Sequence, residues 1–500
     1  MSGTAPQQPR PGGMQRIPFP TESYQHPSKP LSSKWLSNMM AEQEPADART
    51  QAALIPTPGL SINRRVGAGP IHAMNDDLPG RIYIVSGTHF YRLIPQVGTF
   101  PDFTVEDLGD IGTPATGVLP DYVLMYTIAC SATAAVVCVP PNAFTCSHNP
   151  GSPLNQISGD TWPGAQSVAA HDGYHIFVSY ENSAKFFISY LLDPTSYDAL
   201  DFAYTDGLPN VLRRVFPYRS DLWMMGEGGI EIWYDAGSSG LETTPGISFF
   251  PYRRRSGGVI PFALASPQSV AAGDGSIFWL SHNQLVFKTA GYQANRISTH
   301  AIEDIIRDLN PYNLVSAFTY TEVGHVFYVM NWADRTLVYD CATKQWHDRS
   351  SDGGRWRPNA TAHPGTLLWF GDVQSGDIFS SEVNSPVAGL EDTDPVERTI
   401  VFPPLFANTN RAFCSRFEVE MESGDGRIVD GEVTLDWSDD GGFTFNGGPR
   451  VMSAQVAAYN RRQRVFTTRL GSFRQRVFRL RWSGAATIYA ADAEITGGAS

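Results

Sequence analysis

Lysine is almost missing from this 500-residue chain, which has only Lys29, Lys34, Lys185, Lys288 and Lys344. Arginine carries nearly all the positive charge, and 37 basic side chains stand against 50 acidic ones, a net charge of −13. That balance excludes a protein that wraps duplex DNA with its outer surface, because neutralising phosphate needs a basic excess. It leaves room for a channel through which DNA slides without sticking. Cysteine is scarce as well. Cys130, Cys138, Cys146, Cys341 and Cys414 are odd in number and form no CxxC pair. A disulfide scaffold is therefore excluded, and folding in a reducing cytoplasm is expected. The first three are spaced too widely for a usual zinc knuckle. No long apolar run is present. The most apolar stretch, Tyr122 to Pro141, is broken by Ser131 and Thr133, ends in Pro140-Pro141 and reads as hairpin core rather than a membrane span. The opening MSGTAPQQPRPGG lacks the apolar centre of a secretory signal. Walker spacing, a dinucleotide fingerprint and an assignable Ser-His-Asp or Cys-His set are all missing. No catalytic residue, metal ligand or cofactor site is expected.

What is abundant is turn chemistry and aromatic side chains. With 46 glycines, 36 prolines and 12% aromatics, the chain reads as folded, turn-rich and β-dominated, and its length calls for two or three domains. From about residue 66 to 383 one pattern recurs: strand, polar turn, aromatic-rich strand, turn. SVAAHDGYHIFVSY (167–180) has a near copy in SVAAGDGSIFWLS (269–281), with weaker relatives starting at residues 71, 120, 215, 317 and 360. A period near fifty residues with about four short strands per unit is the mark of β-propeller blades, and six or seven blades fit. Within the repeat, STHAIEDIIRDLNPY puts Ile302, Ile305, Ile306 and Leu309 on one helical face, suited to covering a blade junction. After the acidic linker EDTDPVERT (391–399), short alternating strands such as RVFRLRW (476–482) predict a β-sandwich. The expected fold is all-β: an extended N-terminal arm over 1–60, a propeller over 61–390 and a sandwich over 391–500. The arm has too little apolar periodicity to fold alone. Its one cluster, Trp35, Leu36, Met39 and Met40, is expected to dock on a partner, so that a chain lacking residues 1–60 would keep its folded domains.

Several stretches invite chemistry. In LDWSDDGGFTF (435–445), Ser438, Asp440, Gly442 and Thr444 resemble the aspartate box of sialidases. QRIPFP (15–20) holds an Arg16-Ile17-Pro18 resembling that family's substrate-carboxylate motif. Bidentate arginines do suit a carboxylated sugar, which makes a glycan-processing or glycan-binding propeller the alternative reading. Yet the box sits in the sandwich and the arginine in the arm. Asp and Gly at these positions need no substrate to fold a hairpin tip, so the box is taken as a structural turn. In HDGYH (171–175) two histidines stand four apart on a strand turn, and the later copy replaces His171 by Gly273. The basic tip PYRRRSGG (251–258) reads as an exposed loop. The arginines between 461 and 481 read as a solvated sheet face or as a contact for a negatively charged partner.

Taken in order, LSSKWLSNMMAEQEP…LIPTPGL, EGGIEIWYDAG (227–237), YRRRSGGVIPFA (252–263), the region 272–348 and VFPPLF (401–406) resemble the packaged-DNA stabilisation proteins of short-tailed bacteriophages, also called tail hub or nozzle proteins. The resemblance implies a virion tail component assembled in the host cytoplasm. It implies a cyclic homo-oligomer, most simply a hexamer, below the portal's adaptor ring, closing the DNA exit and carrying a needle, tailspike or fibre. Genomic DNA would pass without specific binding, no membrane would be involved, and no catalytic residue would be carried over.

Overall fold

Two of the repeated segments show how the blades begin. In His171-Asp172-Gly173-Tyr174 the central residues take φ of +47° and +85°, and Asp274-Gly275 repeats this with +49° and +63°. Asp-Gly is favoured where both central residues need positive φ, the hairpin turn whose twist matches its strands. Each turn joins an inner strand to an aromatic-rich second strand: Ala165–His171 to Tyr174–Ser179, and Ala271–Gly273 to Ser276–Leu280. Second strands such as Ala134–Val139, Asp221–Gly226 and Ser276–Leu280 are buried along their whole length. Strands covered on both faces read as continuous apolar runs, and here the covers are the neighbouring blades.

The computed structural model describes residues 13–29, 32–43, 52–96, 102–115, 125–159, 162–181, 183–237, 250–382, 390–407, 410–423, 431–456 and 462–497. Among them, four antiparallel strands each build blade 1 (71–110), blade 2 (127–157), blade 3 (165–204), blade 4 (212–260), blade 5 (271–296) and blade 6 (316–349). Blade 7 takes three strands from 358–382 and its outer strand, Gly59–Arg65, from the chain's beginning. The propeller thus has seven blades. Ring closure pairs Glu382 with Gly59 and Asp377 with Arg65, so the two ends of the propeller segment hold each other. The helix His300–Leu309 links blades 5 and 6, capped by Thr299 and burying Ile302 and Ile306.

The sandwich is less local. One sheet consists of Glu397–Val401, Gln475–Ser483, Gly431–Ser438 and Gly447–Val456, and it continues through Ser33–Ser37 into the outer strand of blade 6, Gln345–Arg349. The other sheet runs Met39–Gln43, Ala52–Pro56, Ala486–Gly497, Ala412–Ser423, Arg462–Thr468, with Met14–Arg16 also pairing on Ala486–Gly497. Residues from the expected arm therefore supply strands to both sheets.

This corrects the expectation for Trp35, Leu36, Met39 and Met40. They are not an exposed anchor for a partner; all four are buried within this chain. Leu36 and Met39 enter the sandwich core with Leu54, Phe417 and Leu480. Trp35 packs with blades 5 and 6 and the helix, under the Arg335 guanidinium at 4.4 Å. Met40 joins the cluster of blades 6 and 7. The physical reason is the strand itself. Alternate side chains point to opposite faces, and a strand lying between two domains feeds both cores. Asn38, with φ of +57°, turns the chain between the two strands. Its side chain donates to Glu397 O at 2.8 Å and Ser350 O at 3.0 Å and accepts from Ser350 N at 3.0 Å. Beneath it the buried Arg398 donates to Asn38 O (2.5 Å), Thr57 O (3.0 Å) and Gly484 O (2.6 Å). Satisfied buried donors of this kind hold a joint in one geometry, because any shift would strand a polar group.

Candidate functional site

Two places gather unusual groups: the propeller axis and the propeller–sandwich joint. The axis holds a cavity of about 570 Å³ lined by all seven inner strands. Six blades contribute alanines, among them Ala73, Ala129, Ala169, Ala272, Ala317 and Ala360, whereas blade 4 contributes Arg214 and Phe216. The volume is that of a site for one small molecule. A duplex whose major groove alone is about 12 Å wide does not thread it.

At the joint lies a network of ionisable groups. His325 of blade 6 bonds Asp340 through Nδ1 at 2.8 Å and Glu42 of the sandwich sheet through Nε2 at 2.9 Å. Burial alone would lower its pKa, but the hydrogen bonds and charges of Asp340 and Glu42 outweigh that and raise it. Nearby, burial first and the charges of Arg349 and His325 next hold His347 down at about 3. Burial raises Asp348 to about 7 against the pull of Arg335. The arrangement can bind the two domains through charge, and a proton is the one thing it is built to gain or lose.

The aspartate box closes on itself. The Asp440 carboxylate accepts from Ser438 Oγ (2.5 Å), Phe443 N (2.9 Å), Thr444 N (3.0 Å) and Thr444 Oγ1 (2.5 Å). These bonds hold its pKa far below the usual carboxylate range, with those from Ser438 and Thr444 the largest. Ser438 Oγ also accepts from Gly442 N at 2.8 Å. Gly442 has φ of +99°, and a Cβ there would lie 3.0 Å from Ser33 Cβ, so the tip is pressed against the strand that joins the domains. Next to it, Asp439 takes a bidentate pair from the buried Arg476 at 2.7 and 2.8 Å. The return strand begins at Gly447.

The other sequence candidates separate. Arg16 lies in the sandwich and pairs with Asp492 at 2.8 Å, so neither sialidase-like element belongs to the propeller. His171 sits opposite Tyr174, while His175 sits opposite Ala170. Neighbouring positions along a strand alternate faces, so these imidazoles point to opposite sides of blade 3 and cannot share a metal. Cys130, Cys138 and Cys146 are free thiols of blade 2. Burial raises all three pKa values, that of Cys146 to about 11. No group of three or more metal-ligating side chains occurs among the described residues. The stretch expected to be an exposed basic loop is instead the outer strand of blade 4, Tyr252–Ile260, and its Arg254 and Arg255 pair with Asp206 and Asp221. Arg479 and Arg481 meet Asp436. Sequence reading missed the axial Arg214 and the His325 pairings. Arg214 lay beside a repeat segment as a departure from its small residues, which was the available signal.

A family model described as bacteriophage P22 Gp10, beta-propeller, matches residues 15–381, and one described as bacteriophage P22 Gp10, beta-sandwich, matches residues 397–498. The chain belongs to the bacteriophage P22 Gp10 family. This Gp10-family chain is therefore a structural protein of the tail of a short-tailed phage, of the DNA-stabilising tail hub type. No curated protein matches it. Similar solved structures include the WD40 propeller domain of Doa1 (7% identity, 65% of this chain and 97% of that one, TM-score 0.39). The C-terminal WD40 domain of Sif2 (11%, 65% and 99%, 0.37) and the AfRom2 CNH domain (11%, 65% and 98%, 0.37) resemble it as well. At such scores the propeller assignment rests on the sheet topology and the family, and nothing functional transfers from them. No helix among the described residues is long and apolar enough to cross a membrane.

Proposed function

We propose that this Gp10-family protein forms a ring, most simply of six copies, below the portal's adaptor, where it closes the DNA exit after packaging and carries the needle, tailspike or fibres. The observation that carries this reading is the joint. A sheet that runs without a break from blade 6 into the sandwich makes the chain one stiff block, which is what a closed ring bearing load needs. The axial cavity is too small for a duplex, so any DNA path runs between copies and not through one. The net charge of −13 favours a path that repels phosphate wherever its acidic surplus faces the opening. Mass photometry and cryo-EM of tails released from virions test it. Several copies around a central opening are expected, and one copy per tail would refute it. Heads filled without this protein are expected to leak DNA; heads that retained it would refute the closing role.

A further inference from the structure

Several arginines of this chain are matched to acids. Arg92 pairs with Glu106, Arg213 with Glu227, Arg357 with Asp372 and Arg476 with Asp439. Arg214 is not, and unlike the buried Arg398, whose Nε, Nη1 and Nη2 all donate to backbone oxygens, it bonds through one nitrogen alone. Among the described residues its guanidinium meets two backbone carbonyls, Pro267 O at 2.5 Å and Val270 O at 3.1 Å, both through Nη1, and lies 5.2 Å from the Phe216 ring centroid. Among the described residues it meets no carboxylate, and its other N–H groups meet no acceptor. Yet it lines the axial cavity, where six other blades present alanine. Burial lowers its pKa to about 10, with Tyr328 acting weakly against it. A desolvated charge without a counter-charge is costly. A guanidinium fork offers paired donors that fit carboxylate or phosphate oxygens.

We propose that the propeller's axial cavity is a binding site for a small oxyanion, a phosphate or a carboxylate, held by the Nε and Nη2 face of Arg214. The neighbouring lining supports it. Gln268, Ser316 and Asn359 border the same cavity with Arg214, near the starts of their inner strands, and form a polar collar at that end. Asp77 lines the cavity too, at the far end of its own inner strand, so the anion's place is beside Arg214. The alanines leave the room the ligand fills, about 570 Å³.

The test uses the full chain. Thermal melting and calorimetric titration are run with sodium phosphate and with sodium acetate, against sodium chloride at equal ionic strength. A saturable stabilisation by phosphate or acetate beyond chloride is expected, and the tighter of the two identifies the class. Arg214→Gln is expected to weaken it about tenfold to a hundredfold, the value of a charge-assisted hydrogen bond. Arg214→Lys, which keeps the charge and loses the fork, falls between. Should Arg214→Gln not fold, Ala169→Leu, which fills the cavity, and the position of bound tungstate in a soaked crystal decide. Tungstate beside Arg214 supports the site. Tungstate only elsewhere, no effect beyond chloride, or binding unchanged in the variants overturns it.

Discussion

The propeller and the sandwich are both antiparallel β-structures, yet they are assembled from the chain in opposite ways. Six of the seven blades are built from strands that follow one another in sequence, joined by short turns. The sandwich recruits Met14–Arg16, Ser33–Ser37, Met39–Gln43 and Ala52–Pro56 across more than three hundred residues to meet strands after Glu397. Local pairing closes small loops at small entropic cost, whereas distant pairing must be driven by what it buries. The N-terminal strands therefore carry the large apolar side chains, and blade 7 waits for Gly59–Arg65 to complete it. In this molecule the most remote segment in sequence is the central one in space.

Deleting residues 1–60 breaks that arrangement most severely. The loss of Leu36, Met39 and Leu54 from the sandwich core, at about 2–5 kcal/mol each by analogy with truncation to alanine, rivals a domain's whole stability of about 5–15 kcal/mol. The expected outcome is a chain without a cooperative melt by circular dichroism, the opposite of the expectation from sequence. A native-like transition would show the segment to be dispensable.

Single truncations sharpen the contrast. Leu54→Ala, in the recruited hairpin and fully buried, is expected to cost about 2–5 kcal/mol in urea unfolding. It should also expose the sandwich to proteolysis before the blades. Val137→Ala in blade 2, equally buried but set in locally paired strands, removes less side chain and is expected to cost less, without separating the domains.

Buried neutral histidines belong to the propeller. All eleven histidines lie before residue 364, so the sandwich strands after Glu397 contain none. Burial, with help from His148, holds His175 at about 4, and His347 is held at about 3. Each is neutral when folded and takes a proton when unfolded near pH 6.5. Their contribution is whole above that pH and is lost as pH falls from about 6.5 towards 4 and 3. For His175 this amounts to something on the order of 3 kcal/mol. In urea titrations from pH 7 to 4, His175→Leu should lose less stability than the parent, while the raised Asp348 acts in the opposite sense, adding stability as pH falls below about 7. His325 runs the other way. Its raised pKa stabilises the joint below about pH 6.5, and that part fades as pH rises through the folded value.

The smallest effect belongs to the box. Asp440→Ala removes a carboxylate that accepts four bonds at an exposed tip, and a cost of about 0.5–2 kcal/mol is expected, as for a lost cap. Unfolding by urea reads it directly. Abolition of a sialoside-cleaving activity by this change would instead revive the glycan reading.

Much of this fold was legible because its signals are local. The Asp-Gly turns, the aromatic second strands and the fifty-residue period mark blades wherever they pack. The tip Ser438-x-Asp440-x-Gly442-x-Thr444 satisfies its own hydrogen bonds within seven residues. The four-residue cluster at 35–40 was legible as apolar and misread as external, since hydrophobicity states that a side chain must be covered and not by what. Nothing in the order Trp35, Leu36, Met39, Met40 says that one enters blades 5 and 6, two enter the sandwich and one enters blades 6 and 7. The sequence by itself determined the repeat, the turns, the all-β class and the acidic surplus, because each is a property of neighbours along the chain. Only the tertiary structure decided the seventh blade's closure by Gly59–Arg65, the fusion of propeller and sandwich through Ser33–Ser37, and the isolation of Arg214 from any carboxylate. Those depend on which strand edge and which charge come to lie beside which, and that is set by three-dimensional packing.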